Sequence, residues 1–253
     1  MKRYLSILLL ISLLFCSCQS KKSQISFEGD LRHAHGQLIR LAVVTSDGLT
    51  MLDSMKLKDG HFEFSVKAES QEEKDRLETP MLYQIMLSQD NMITTIAQKG
   101  DHLNIQGDSR DLLRTYHIQG GEEAMLMWQL DSALNTFVQP TDRLYSIYQK
   151  NLDNDSIRAD IESQYMILLQ KHTQYLTNFI QKHPQNMASY IAFYQSYNRR
   201  CFFDENENLP LLKKITSALQ KKYPNNEYVK GMQQRVEALE MAKAEKTQQY
   251  DTH

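Results

Sequence analysis

Cysteine and tryptophan are scarce in this chain, and their scarcity excludes several kinds of chemistry. The 253 residues contain three cysteines and one tryptophan. No C-x-x-C pair occurs, which excludes a dithiol redox centre in this sequence. The 29 basic residues are balanced by 31 acidic ones, and no basic cluster stands out, so we expect no nucleic-acid partner. Apolar residues make up 41% of the chain, which is enough to build a hydrophobic core.

The one long apolar run lies at the N-terminus and predicts a bacterial lipoprotein signal peptide. Lys2 and Arg3 precede an apolar stretch over residues 5–15, which is shorter than the roughly 20 residues of a membrane-spanning helix. Ser17 supplies the small residue expected before a lipidated cysteine, so we predict cleavage before Cys18 and attachment to the membrane through lipid on Cys18. Ordinary secretion with cleavage nearby is the alternative.

The residues after Cys18 favour a particular location. Gln19 follows the cysteine, where retention at the inner membrane would use an aspartate, and this predicts the outer membrane. Lys21 and Lys22 lie in a tether without an acidic cluster, so we expect the body of the protein to face the periplasm.

Two different periodicities divide the rest of the chain. Short alternating segments with regular turns, including the turn Asp59–Gly60, predict strands between residues 24 and 119. From Glu122 the apolar period becomes 3.6, which predicts helices. We therefore predict an α+β protein in which an antiparallel β-sandwich or open barrel precedes a domain of helical hairpins. The predicted parts are a signal peptide (1–17), a lipidated tether (18–23), a β-domain (24–119), a helical domain (120–246) and a polar tail (247–253).

Local signals refine this division. The charged residues 69–79 predict a solvated loop, and Pro140 predicts the end of the first helix. A second helix is expected to begin at Asp155–Ser156 and to end at His183–Pro184. A third helix is expected to carry aromatic residues as far as Tyr197.

Several phrases in the β-domain resemble a known family. In chain order they are Phe27–Leu31, Leu52–Ser54, Asp59–Phe64, Gly100–Ile105 and Ile118–Gly120. Together they resemble the β-rich domain of unknown function at the N-terminus of Bacteroidota lipoproteins of the thiol-disulfide oxidoreductase type. The helical part is similar to that family's middle segment, including its His-Pro and Tyr-Pro helix breaks. The family's third part, a thioredoxin-like domain with a Trp-Cys-x-x-Cys site, has no counterpart in this sequence, so the resemblance transfers no redox catalysis.

Single residues offer few candidates for catalysis or metal binding. Cys201 follows two arginines that could activate its thiol, but the two phenylalanines after it predict a buried cysteine. His33 and His35 have the spacing of neighbours on one strand face, but with no third ligand nearby we expect two exposed histidines in a hairpin turn. We therefore predict no catalytic residue, no metal site and no cofactor.

Aromatic and acidic clusters have simple structural interpretations. The aromatic residues around the third helix either line a binding groove or form a helix core, and the core is the prediction. They are Tyr190, Phe193, Tyr194 and Tyr197. Glu122 and Glu123 are expected to stabilise a helix N-terminus through its dipole. The acidic residues 204–207 lack the ligand spacing of a calcium loop and predict a solvated turn.

Three Asp-Ser-apolar tripeptides resemble acceptors of Bacteroidota O-glycosylation. The serines are Ser54, Ser132 and Ser156. Ser54 and Ser132 fall inside predicted elements, where we expect a glycan to clash with packing. Ser156, at a predicted boundary between a loop and a helix, is therefore the candidate site.

These features predict a protein that binds and does not catalyse. The expected function is that of a periplasm-facing lipoprotein that binds or positions a protein or envelope partner. The alternative is an accessory of a separately encoded thioredoxin-like oxidoreductase.

Overall fold

The structure is a computed structural model that describes residues 24–68 and 70–251, with the side chains of Glu72 and of 246–251 left out of the description. The chain divides into two compact units, Met1–Met125 and Leu126–His253, which we call the β unit and the helical unit. The predicted α+β class, with strands in the first half and helices in the second, is confirmed. The boundary lies six residues beyond the predicted one at 119/120.

Eight strands and two short helices form the described part of the β unit, before the first long helix. They are β1 (Ile25–Arg32), β2 (Leu38–Thr45), β3 (Gly48–Lys56), β4 (His61–Val66), α1 (Gln71–Leu77), β5 (Met81–Met86), β6 (Met92–Ala97), β7 (His102–Asp108), α2 (Leu112–Thr115) and β8 (His117–Gln119). The remaining elements are α3 (Glu122–Gln149), α4 (Asp155–Lys182), α5 (Met187–Tyr194), β9 (Ser196–Tyr197), β10 (Arg200–Cys201), α6 (Leu209–Lys222) and α7 (Glu227–Asp251).

The β unit is a sandwich of two four-stranded sheets, with strand orders β4-β1-β7-β8 and β3-β2-β5-β6. Alternate residues of β1 and β4 are buried between the sheets, which explains the period of two in these parts of the sequence, whereas the edge strand β3 has no buried residue. Phe27 of the first sheet and Tyr83 of the second meet there, with ring centroids 5.2 Å apart. Both side chains are at most 1% exposed, so this contact marks the centre of the core.

Strand pairing does not follow sequence order, since β1 pairs with β4 and β7, and β2 pairs with β5. β1 and β2 belong to different sheets, so the segment with His33 and His35 connects the two sheets and is not the predicted hairpin turn. β1 also pairs in parallel with β7, from Ser26 beside His102 to Arg32 beside Asp108, within otherwise antiparallel sheets. Both features depend on contacts between residues far apart in the chain, which local turn signals do not encode.

The prediction of a solvated loop at 69–79 is wrong, because most of this segment forms α1. Ser70 begins the helix with a capping box: its hydroxyl accepts from the backbone N–H of Glu73, whose carboxylate accepts from the N–H of Ser70. Leu77 at the end of the helix is only 6% exposed. One buried leucine and a complete cap therefore outweigh the polar composition of the segment.

Pro140 does not end a helix, contrary to the prediction. α3 continues from Glu122 to Gln149 with Pro140 inside it. A proline within a helix removes one hydrogen bond and costs about 3 kcal/mol. Phe137 and Thr141, on either side of it, are both buried, and the Thr141 hydroxyl donates to the Phe137 carbonyl at 2.8 Å. Burial on both sides of the proline keeps the helix continuous.

The second long helix agrees with its predicted boundaries. Asn154 caps α4, since its side chain accepts from the N–H of Ile157 at 3.1 Å, and the helix ends at Lys182 before His183. Its buried stripe is Ile161, His172, Leu176, Phe179 and Ile180.

Two other helix ends differ from the prediction. α5 stops at Tyr194, and Tyr197 belongs to β9. α7 runs to Asp251, beyond the expected end near Lys246.

Candidate binding groove

A groove lined by tyrosines opens on the helical unit between α3, α4 and the hairpin β9–β10. Its volume is about 430 Å³, within the range of about 300–1,000 Å³ typical of ligand sites. Tyr145 and Tyr148 contribute from α3, and Tyr165 from α4. Because residues three apart share a helix face, Tyr145 and Tyr148 both reach the groove, as do Glu162 and Tyr165. We call this feature the tyrosine groove.

The hairpin β9–β10 supplies the third wall. Asn198 and Arg199 form its turn, both with positive φ (49° and 64°), which is the backbone of a type I′ hairpin turn. This turn pairs Tyr197 directly with Arg200. Side chains of directly paired residues lie on the same face of the hairpin, so Tyr197 and Arg200 both line the tyrosine groove.

Phe137 of α3 lies beneath this wall and connects it to α4. Its ring is 5.5 Å from that of Tyr197 in an edge-to-face arrangement and 6.3 Å from that of Tyr165. It also contacts Phe202, just after the hairpin, at 5.2 Å. With 3% exposure, Phe137 holds two tyrosines of the groove in place from the interior.

Two of the four tyrosine hydroxyls are held by neighbouring side chains. The Tyr197 hydroxyl donates to Asp142, and burial together with this bond raises the pKa of Tyr197 to about 12. Tyr148 hydrogen-bonds the guanidinium of Arg158, whose pKa is raised mainly by its hydrogen bond to Asp155. Tyr197 therefore stays protonated, and each of the two hydrogen bonds holds its tyrosine ring in a fixed position.

The other polar groups of the groove are available to a ligand. Within the described residues, the hydroxyls of Tyr145 and Tyr165 have no protein hydrogen-bond partner, and neither Glu162 nor Arg200 takes part in an ion pair. Glu162 belongs to α4 and Arg200 to β10, so the opposite charges stand on different walls. Ring faces with a few polar groups are the usual composition of a binding site.

Cys201 is exposed, which contradicts the predicted burial. It lies on β10 of an isolated two-stranded hairpin, and the burial expected for this segment falls on Phe203 instead, which is 6% exposed and stacks on Phe193 at 5.4 Å. Cys201 lines a second groove of about 640 Å³ that shares Tyr165, Tyr197 and Arg200 with the tyrosine groove.

The predicted aromatic core is correct only in part. Phe193 is buried at 1% exposure. The Tyr194 hydroxyl donates to Glu205 at 2.8 Å, and Glu205 also pairs with Arg235 of α7. Residues 204–207 lie in the predicted turn, and three of them are exposed; Glu205 is half-buried and connects α5 to α7. Of the four aromatic residues, Tyr197 is the one that lines the tyrosine groove. The sequence signal that could have separated Tyr197 from the helix is the Asn198–Arg199 turn.

His33 and His35 form hydrogen bonds around the turn in which they lie. His33 adopts φ 59° and places its Nδ1 3.0 Å from Asp108, while His35 hydrogen-bonds the carbonyl of Lys58. Arg110 holds the same Asp108 carboxylate with Nε at 3.0 Å and Nη2 at 2.7 Å. The hydrogen bonds from Arg110 hold the pKa of Asp108 well below its usual range, so this carboxylate stays ionised. Across residues 24–68 and 70–251, no group of three or more metal-ligating side chains occurs.

The candidate glycosylation serines lie in different surroundings. Ser156 is exposed in the first turn of α4. Ser54 is also exposed, because it lies on the edge strand β3, so the expected clash of a glycan with packing does not apply there. Ser132 is half-buried on α3.

The predicted lipidation site, Cys18, and the signal peptide lie outside the described residues. None of the helices in the described ranges is both long and apolar enough to cross a membrane. Comparison with known proteins finds no family model, curated protein or solved structure that matches this chain. The resemblance noted in the sequence therefore stays a prediction.

Proposed function

We propose that this protein is a non-enzymatic lipoprotein of the cell envelope that binds a partner protein through the tyrosine groove of its helical unit. Lipid on Cys18 holds it to the outer membrane, and its body faces the periplasm. The predicted tether, residues 18–23, precedes in sequence the first strand of the β unit, β1, which begins at Ile25.

The composition of the tyrosine groove is the observation that carries this proposal. Tyrosine and arginine are enriched at the energetic centres of protein interfaces, because both combine apolar contact area with hydrogen-bond donors. The Tyr145 side chain is 63% exposed, and Met166, which lines the neighbouring groove, is 58% exposed. A partner that covers them removes apolar surface from water at about 25 cal/mol per Å².

Site-specific cross-linking in living cells tests this function. A photoreactive amino acid at position 145 should form a covalent adduct with a partner, and mass spectrometry of the adduct identifies that partner. The matched control is position 175 on α4, where Tyr175 is 37% exposed and lies outside the tyrosine groove.

Binding of the purified partner completes the test. Tyr145→Ala should weaken it, whereas Tyr175→Ala should leave it unchanged. Equal adducts at both positions, or equal loss of binding in both variants, would contradict the proposal. If the adduct contains a thioredoxin-like protein, the partner is a redox enzyme and the function is that of an accessory.

A further inference from the structure

We infer that the tyrosine groove recognises a short peptide segment of the partner in which an apolar side chain lies between one cationic and one anionic side chain. This inference rests on the proposed function and specifies the chemistry of the partner. It follows from two features of the groove, its ring faces and its two unpaired opposite charges.

The ring faces define the middle of the ligand. Tyr145, Tyr148 and Tyr165 stand on two neighbouring helices around a volume of about 430 Å³. Phe137 holds Tyr165 from below, so this wall is fixed before a ligand arrives. An aliphatic side chain fits such a space, since it gains contact with the rings and leaves water.

The charges define the two sides of the ligand. The ion pairs described in the helical unit are Glu205–Arg235, Asp155–Arg158 and Lys213–Glu240, and none of them includes a charge of the tyrosine groove. Glu162 and Arg200 both line the groove, yet within the described ranges they pair neither with each other nor with another residue. A ligand with a cation towards α4 and an anion towards β10 complements both of them.

Two blocked tripeptides test this inference with the full-length protein purified in detergent. They are acetyl-Lys-Leu-Asp-amide and acetyl-Asp-Leu-Lys-amide, which place the same charges in opposite order. The neutral reference is acetyl-Gln-Leu-Asn-amide, and affinities are measured by NMR titration. Because each exposed ion pair contributes modestly, the better charged peptide should bind about two- to five-fold more tightly per pair than the neutral one.

Exchange of the charges gives the sharpest result. The double variant Glu162→Lys/Arg200→Glu should reverse the preference between the two charged peptides. The matched controls are Asp160→Asn on α4 and Arg199→Gln in the hairpin turn, neither of which lines the tyrosine groove. Both controls should keep the original preference.

The outcomes separate this inference from the proposed function. If the neutral peptide binds as well as the charged ones and Tyr145→Ala abolishes that binding, the groove binds peptides but the charge pattern is wrong. If no peptide binds while the cross-link at position 145 persists, the inference fails and the proposed function stands. If there is neither peptide binding nor a cross-link, both are wrong.

Discussion

The aromatic contacts of Phe137 provide a direct test of how the tyrosine groove is built. Phe137 is 3% exposed, and its ring meets the rings of Tyr165, His172, Tyr197 and Phe202. Removing a buried phenylalanine ring typically costs 3–5 kcal/mol. With four aromatic partners, we expect Phe137→Ala to cost about 4 kcal/mol, which is roughly a thousand-fold change in the unfolding equilibrium.

A second variant separates burial from ring geometry. Phe137→Leu keeps most of the buried apolar volume but loses the edge-to-face contacts with Tyr197 and Phe202. We expect it to cost about 1–1.5 kcal/mol. The exposed Met241 on α7 provides a control, since Met241→Ala should change stability by less than about 0.5 kcal/mol.

Urea unfolding followed by far-ultraviolet circular dichroism measures these differences, because the helices of the helical unit dominate that signal. The reasoning would be refuted if Phe137→Ala cost less than about 1 kcal/mol. It would also be refuted if both Phe137 variants cost the same, because the ring contacts would then contribute nothing.

Three further predictions concern other parts of the chain. Burial lowers the pKa of His172, against the opposing effect of its hydrogen bond to Gln195. The unfolded chain therefore binds a proton more readily than the folded chain at this histidine, and the free energy of unfolding should fall as the pH drops below about 6.5. Urea midpoints measured at several pH values should show this fall in the natural chain and a smaller one in His172→Gln. The Thr95 hydroxyl is buried without a hydrogen-bond partner in the described residues. Thr95→Val should therefore raise the free energy of unfolding by about 0.5–2 kcal/mol. A lower melting temperature of this variant in calorimetry would contradict the prediction. Cys18→Ser should move the protein from the membrane fraction to the soluble fraction and remove the lipid from its intact mass, whereas Cys16→Ser should change neither.

In the β unit, local sequence patterns predict where the strands lie but not how all of them pair. Alternation and turn residues predict the strands closely, because side-chain direction in a strand depends only on its neighbours in the chain. Local patterns do not predict the parallel pairing of β1 with β7, since this pairing joins residues about 76 positions apart, such as Ser26 and His102. Neither the alternation nor the turn residues of the sequence indicate which distant strand β1 pairs with.

The candidate site was predicted least well. The predictions of a helical Tyr197 and a buried Cys201 are both wrong, because the two residues belong to the short hairpin β9–β10. The aromatic residues of this segment keep the spacing of a helix in the sequence, although the backbone turns at Asn198 and Arg199. The turn predicted around Glu205 is present, but the sequence does not indicate the ion pair of Glu205 with Arg235, which joins residues 30 positions apart.

Local sequence patterns correctly predict the periodicity of each half and the start of the second long helix at Asp155–Ser156. The signal peptide and the lipidation site at Cys18 also follow from local patterns, but they lie outside the described residues and stay predictions. These features depend on interactions within a few residues, so the local order of the chain specifies them. Two features depend on packing between distant residues: Pro140 lies inside a helix, and tyrosines from α3, α4 and β9 surround one groove. Local patterns do not indicate them, because burial and aromatic contacts between distant residues contribute more free energy than the local preference of any single residue.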